Sequence, residues 1–153
     1  MNQTKTEFYD EDLQIKVALK QLFTRFNIPE DAYTAKKFSI KVGNFPINLP
    51  NIPSRVKVAR FHDIHHVLTG YAANWKGEAE IGAWEIATGC EKYFVAWFLN
   101  FGALLVGIIL YPKAVFKAFN RGLKTKTNLY HNFDYEPLLD LSIKELREKI
   151  GLK

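Results

Sequence analysis

The sequence predicts an all-α fold, a single domain of six to seven helices. Three observations predict it. Apolar residues recur three and four positions apart over much of the chain, the spacing of one helical face. Few segments alternate with the period of two that a half-buried strand requires. Glycine or proline stands where these patterns stop, at Pro29, Gly70, Gly89, Pro112 and Gly151, and such residues close or break helices. The 153 residues suit one domain over 1–153, with enough chain to bury a core without disulfide or metal. The single cysteine, Cys90, excludes an internal disulfide framework and a cysteine-rich zinc module.

Leu13, Val17, Leu22, Phe23 and Phe26 recur at helical spacing, with Leu19 less well placed and Lys16, Lys20 and Arg25 on much of the other side. This predicts an amphipathic first helix ending before Pro29. Pro29, Glu30 and Asp31 predict a short second helix through about Phe38. Val42 to Pro53 contains Gly43, Pro46, Pro50, Asn44, Asn48 and Asn51 and is expected as loop or extended chain. Ser54 is the candidate N-cap of a helix from Arg55 to about Leu68, closed by Gly70. Another helix starts at Asn74 or Trp75, carries Glu78, Ile81, Trp84, Glu85 and Ile86, and stops at Gly89. An apolar helix follows, which Pro112 ends or kinks before a basic continuation through Arg121. Asn128 to Pro137 reads as irregular, and Ser142 with Glu145 forms a capping box for a last helix containing Leu146 and Ile150.

The apolar run from Tyr93 to Tyr111 is interrupted only by Asn100, Gly102 and Gly107. It approaches the roughly 20 residues that span a bilayer. A transmembrane helix, a buried core helix and a helix lining an apolar ligand cavity all satisfy this pattern. The net charge of +5 is concentrated beside it: no acid lies between Glu91 and Asp134, while Lys92, Lys113, Lys117, Arg121, Lys124 and Lys126 do. Such an excess attracts phosphates, anionic headgroups or nucleic acid. Nucleic acid is disfavoured, because the basic residues flank an apolar run and do not alternate with exposed aromatics. Met1 to Leu13 carries Glu7, Asp10, Glu11 and Asp12 without an apolar core, unlike a signal or transit peptide.

The segment Phe61-His62-Asp63-Ile64-His65-His66 lies inside a predicted helix. His62, His66 and Asp63 fall at about 0°, 40° and 100° around its axis, with His65 about 60° to the other side. Histidines four apart let two imidazoles converge on one divalent ion, and an adjacent carboxylate adds an oxygen ligand or a base. Glu78, on the next helix, can return opposite the histidines, and Glu85 shares its face as an outer partner. Two imidazoles with one or two carboxylates permit zinc, iron(II) or manganese, with magnesium less natural. A zinc-peptidase-like hydrolase and a two-histidine, one-carboxylate oxygenase both remain open.

His62-Asp63-x-x-His66 followed by Glu78 resembles the metal motif of the coenzyme Q (ubiquinone) biosynthesis protein four family. The resemblance extends through Gly70, Gly77, Trp84, Glu85, Thr88-Gly89, Asn120-Arg121-Gly122, Asn128-Leu129-Tyr130, Phe133-Asp134-Tyr135-Glu136 and Leu146-Arg147 to Gly151-Leu152, covering roughly Ser54 to the end. The chain departs from it in its short N-terminus, in His65, and in Tyr135 where an indole is common.

The resemblance implies an all-helical protein, peripheral on membranes, that handles polyprenylated aromatic quinone precursors in an apolar cavity near the metal. It is read either as a scaffold for quinone-biosynthesis proteins or as a metal-dependent oxidative decarboxylase or hydroxylase of a prenylated hydroxybenzoate. A metallohydrolase acting on an isoprenoid phosphate is a third reading. His62, Asp63, His66 and Glu78 map onto the family's metal ligands, Asp63 as ligand or base, with His65 and Glu85 behind them. Two family halves flanking the apolar run disfavour a spanning helix, so Phe94, Trp97, Phe98, Phe101 and Leu105 are expected to wall a prenyl tail. Lys113, Lys117, Arg121 and Lys124 are expected to meet the membrane or an anionic head. The short N-terminus suggests a prokaryotic relative, cytoplasmic and peripheral on the inner membrane, with homo-oligomers compatible and nucleic acid excluded as a partner.

Overall fold

Seven helices and one β-hairpin order the chain among the described residues: α1 (Ile15–Phe26), β1 (Lys37–Val42), β2 (Phe45–Pro50), α2 (Pro53–Thr69), α3 (Trp75–Thr88), α4 (Phe94–Leu110), α5 (Pro112–Leu123), α6 (Tyr135–Leu138) and α7 (Ile143–Ile150). The computed structural model describes residues 9–42 and 45–153. Of the acidic N-terminal stretch, Met1 to Phe8 with Glu7 lie outside the described residues, as do Gly43 and Asn44.

In α1 the buried stripe is Ile15, Ala18, Leu19 and Leu22, which follows the i, i+3, i+4, i+7 rule with Ile15 as its first member. Leu19 is thus core, whereas Val17 is 37% exposed, the reverse of the expected pairing. The approach to α1 is tied to that of α7: Ile15 N–H donates to the Leu141 carbonyl at 2.9 Å, and Ile143 N–H to that of Leu13 at 3.0 Å.

The helix expected from Pro29 to about Phe38 does not form. Residues 30–34 are turns, and Lys37 opens β1, which pairs antiparallel with β2 so that Ser39 faces Asn48 and Lys37 faces Pro50. The prolines that suggested a loop are accommodated because each strand of a two-stranded sheet has an unpaired edge, where a missing N–H costs nothing.

The start of α2 also moves. Its N-cap is Ile52 and Pro53 occupies the first turn, where the absent N–H has no intrahelical partner to lose. Ser54 is already helical. At the other end, Arg147 Nε donates to the Leu68 carbonyl and Arg121 Nη1 to that of Thr69, both at 2.7 Å. Two cations thus satisfy the negative end of the α2 dipole. Asn74 caps α3 by accepting from Gly77 N–H at 3.0 Å, and the Ser142–Glu145 capping box starts α7 as expected.

Helix α3 packs mainly on the α4–α5 hairpin, and α2 touches both α3 and α4. Its contact with that hairpin is made through small residues. A Cβ on Gly107 would stand 2.5 Å from Ala79 Cβ, and one on Gly122 would stand 2.6 Å from Ala87 Cβ. Because α4 turns Ala96, Asn100 and Gly107 inward, its large side chains are left outside. Trp84, Phe61, Ile64, Leu68, Ile81 and Leu129 form the centre of the core. No helix among the described residues is long and apolar enough to cross a membrane.

Candidate metal centre

Helix α2 presents His62 and His66 one turn apart towards Glu78, in the first turn of α3. The three donor groups converge. His62 Nε2 and His66 Nε2 are 3.1 Å apart, and each is 3.2 Å from an oxygen of Glu78. One donor atom from each of the three residues lies within 4.8 Å of the others. Donors about 2.0–2.1 Å from a shared ion stand about 2.9 Å apart at right angles and about 3.3 Å apart at tetrahedral angles, so the observed spacings suit a common ion.

The hydrogen bonds behind the imidazoles fix their tautomers. His66 Nδ1 donates to the Tyr71 carbonyl at 2.9 Å, an acceptor that cannot donate back. His62 Nδ1 donates to Glu85 Oε1 at 2.9 Å. With both Nδ1 atoms committed as donors, both Nε2 atoms turn lone pairs towards each other and towards the Glu78 carboxylate. Three acceptors facing one another require a positive charge between them, either as protons on the rings or as a metal ion. Glu78 is 41% exposed and His66 1%, so the centre is walled on the histidine side and open on the glutamate side.

Glu85 organises the layer beneath. It is fully buried and accepts from four side chains: His62 Nδ1 at 2.9 Å, His65 Nδ1 at 2.6 Å, Asn100 Nδ2 at 2.5 Å and Tyr130 OH at 2.9 Å. His65 in turn accepts the Leu129 N–H on Nε2 at 3.0 Å, so both its nitrogens are used and it is a bracing residue. Glu85 and His65, expected behind the donor groups, are hydrogen-bonded to each other, and Glu85 also to His62.

The electrostatics follow from this wiring. Burial raises the pKa of Glu85, but the charge and hydrogen bonds of His62 and His65 outweigh it and hold the carboxyl well below its ordinary range. Glu78 is likewise held low, burial being outweighed by His66 and His62. Burial lowers His62, yet the charge of Glu85 and the bonds to Glu78 and Glu85 lift it well above its usual value. His65 is lowered, chiefly by burial. The Cys90 thiol, buried and near the Glu85 charge, is pushed up to about 12, so it stays protonated and adds no thiolate ligand.

Asp63 does not join the convergent group. Its Oδ2 instead accepts a hydrogen bond from the Tyr33 hydroxyl. Burial raises its pKa against the opposing effects of His62 and Tyr33. Sequence reasoning missed Tyr33, Asn100 and Tyr130, which reach the site from a turn, from α4 and from the 128–130 segment. Asn100 carries the one available signal, as the only polar residue inside the apolar run.

The residues expected to wall a prenyl tail lie elsewhere than expected. Phe94, Phe98, Phe101 and Leu105 are 83%, 80%, 50% and 62% exposed. They stand on the outer face of α4, and Trp97, half-buried, donates its indole N–H to the Glu91 carbonyl at 3.1 Å. The small inward residues of α4 explain the correction, since close packing on α3 leaves only the far side for bulky groups. Lys113, Lys117 and Lys124 are exposed beside Phe116 and Leu123. Arg121 is not available to a headgroup as expected: it is committed to the Thr69 and Lys153 carbonyls and lies over the Tyr71 ring. Comparison with protein-family models, curated proteins and solved structures finds no match.

Proposed function

We propose that this chain binds a divalent metal through His62, His66 and Glu78 and handles a prenylated aromatic precursor of a quinone at a membrane surface. The observation that carries the metal reading is the triangle of facing acceptors, with both histidines locked by their Nδ1 donors. The donor set of two imidazoles and one carboxylate suits zinc, iron(II) or manganese better than magnesium. Three protein ligands leave coordination positions open, the pattern of catalytic rather than structural sites. A bound metal of this kind supplies a Lewis acid or, for iron(II) or manganese, a centre for oxygen chemistry. The residues around it would hold the imidazoles in register, through Glu85 and the Tyr71 carbonyl, and leave Asp63 with its Tyr33 partner as a nearby base.

The membrane part of the reading is supported by the outer face of the α4–α5 hairpin. Phe94, Phe98, Phe101, Leu105 and Ile109 form one apolar stripe, 50–83% exposed, and lysines of α5 border it. An apolar stripe of this kind beside cations matches a helix lying in a bilayer interface. The prenyl tail would then be met at the bilayer and not in a closed cavity. Oxidative decarboxylation or hydroxylation of a prenylated hydroxybenzoate is the reaction this reading carries. Metal analysis of anaerobically purified protein, followed by single turnover with a prenylated hydroxybenzoate, tests it. Stoichiometric metal lost in Glu78→Ala is expected; wild-type protein without metal overturns the reading. Metal without turnover would favour a scaffold role.

A further inference from the structure

Tyr33, in the segment between α1 and β1, reaches Asp63 beside the centre. Tyr33 lies edge-on to Phe23 with ring centroids 5.7 Å apart, and the Arg60 guanidinium stands 5.5 Å from its ring centre. Its backbone surroundings are tied down. Asn51 Nδ2 donates to the Ala32 and Ala35 carbonyls at 3.1 and 2.8 Å, and Arg55 Nη1 to that of Ala32 at 3.2 Å. The tyrosine hydroxyl thus arrives at Asp63 Oδ2 from a braced position. Asp63 directly follows His62 on α2 and precedes His66 by three residues, yet the convergent group consists of His62, His66 and Glu78 alone.

We propose that Tyr33 is a positioning residue that holds the Asp63 carboxylate out of the metal's coordination sphere. The inference rests on the metal reading above and specifies how that site stays open. A carboxylate beside two ligating histidines is a natural fourth ligand, and a fourth protein ligand would close the tetrahedral shell in the manner of a structural site. The hydroxyl donor on Oδ2 holds the carboxylate towards Tyr33, outside the convergent group. Asp63 is thereby kept one residue from the ions' imidazole ligand, as an acceptor and not as a donor to the metal. The turn segment before β1 acquires a role in the site through this contact.

Cobalt(II) binding to the full chain tests the proposal, read by dissociation constant and by the visible ligand-field spectrum. In Tyr33→Phe, Asp63 is released; cobalt should bind about 10- to 100-fold tighter, the scale on which outer partners of ligands act, and the spectrum should change to that of a closed shell. Asp63→Asn alone should leave the wild-type spectrum in place, and Tyr33→Phe/Asp63→Asn should return to it. An unchanged dissociation constant and spectrum in folded Tyr33→Phe overturns the proposal. So does an altered spectrum in Asp63→Asn, which would show Asp63 to be a ligand already and is read even where the tyrosine variant fails to fold. If wild-type protein binds no cobalt, the metal reading itself falls and this inference with it.

Discussion

The two faces of α3 solve opposite problems. Towards α2 the helix presents Glu78 and Glu85, seven residues apart, and Glu85 is buried with four donors on its two oxygens. Towards α4 and α5 it presents Ala79, Gly82 and Ala87, and the neighbouring helices answer with Gly107 and Gly122. The first interface is polar and held by directed bonds; the second is largely dry and held by proximity, crossed by one directed bond from Asn100 Nδ2 of α4 to Glu85. The difference separates two ways of ordering a surface. Where the buried polar groups behind a cluster are paired, as around Glu85, its outward donor atoms are fixed in place. An exposed apolar face is left on the far side of the second interface, where packing has used only the small residues of α4.

The largest effect expected from breaking this contrast is at Glu85. Glu85→Ala would leave His62, His65, Asn100 and Tyr130 with unanswered donors in a buried space, and removing one member of such a network costs about 3–5 kcal/mol. Urea unfolding should show this loss, together with weaker metal binding because His62 loses its brace. The same residue gives a pH signature. Its carboxyl is held below the ordinary value of 4.5, so its contribution is fully present above that pH and is lost as pH falls through the folded-state value. The stability gap between wild type and Glu85→Gln should therefore narrow on acidification below about 4.5. A constant gap would show that the charge of Glu85 adds nothing.

On the dry face the effect is smaller and depends on position. A Cβ at Gly107 would be 2.5 Å from Ala79 Cβ and 2.7 Å from Val115 Cγ2, whereas at Gly102 nothing lies within 4 Å. Gly107→Val should destabilise by about 1–3 kcal/mol through overpacking. Gly102→Ala, in the same helix, should stabilise by about 0.5–1 kcal/mol by reducing backbone freedom. Thermal unfolding of both variants checks the sign as well as the size. Equal behaviour of the two would mean that α4 does not seat Gly107 on α3.

This contrast also explains what was legible in the sequence. Helices α2 to α5 and α7 could be read because their caps and breaks are local: Asn74, Gly89, Pro112 and the Ser142–Glu145 pair act within a few residues of themselves. His62, His66 and Glu78 were legible because one helical turn and one loop bring them together. The hairpin was not, since its strands stabilise one another only through pairing, and its prolines resemble loop residues until the edges are known. Tyr33 and Tyr130 were invisible for a related reason: they reach the centre across 30 residues to Asp63 and 45 to Glu85, and nothing local marks such a contact. The apolar run gave its helix but not its outward face, because its composition does not say which side meets α3.

The outer face of α4 offers the change with the least effect on the fold. Phe98 is 80% exposed, so Phe98→Ser should alter unfolding free energy by no more than about 0.5 kcal/mol. Its consequence should appear only with lipid. A phenyl group transferred from water into a bilayer interface contributes about 1.5–3 kcal/mol, so partitioning to vesicles containing anionic lipid should fall about tenfold or more. Charge reversal at Lys113 of the adjoining α5 and at Lys124, its C-cap, both exposed, should weaken the same partitioning by roughly fivefold per cation removed, and only while anionic lipid is present and salt is low. A second copy of the chain is the competing occupant, but apposing two such faces would bring lysine against lysine, with no acid between Glu91 and Asp134 to offset them. Sedimentation with vesicles of zwitterionic and anionic lipid separates the cases. Binding that ignores both Phe98→Ser and the lysine reversals would detach this face from any membrane role and leave the α2–α3 centre as the molecule's one functional surface among the described residues.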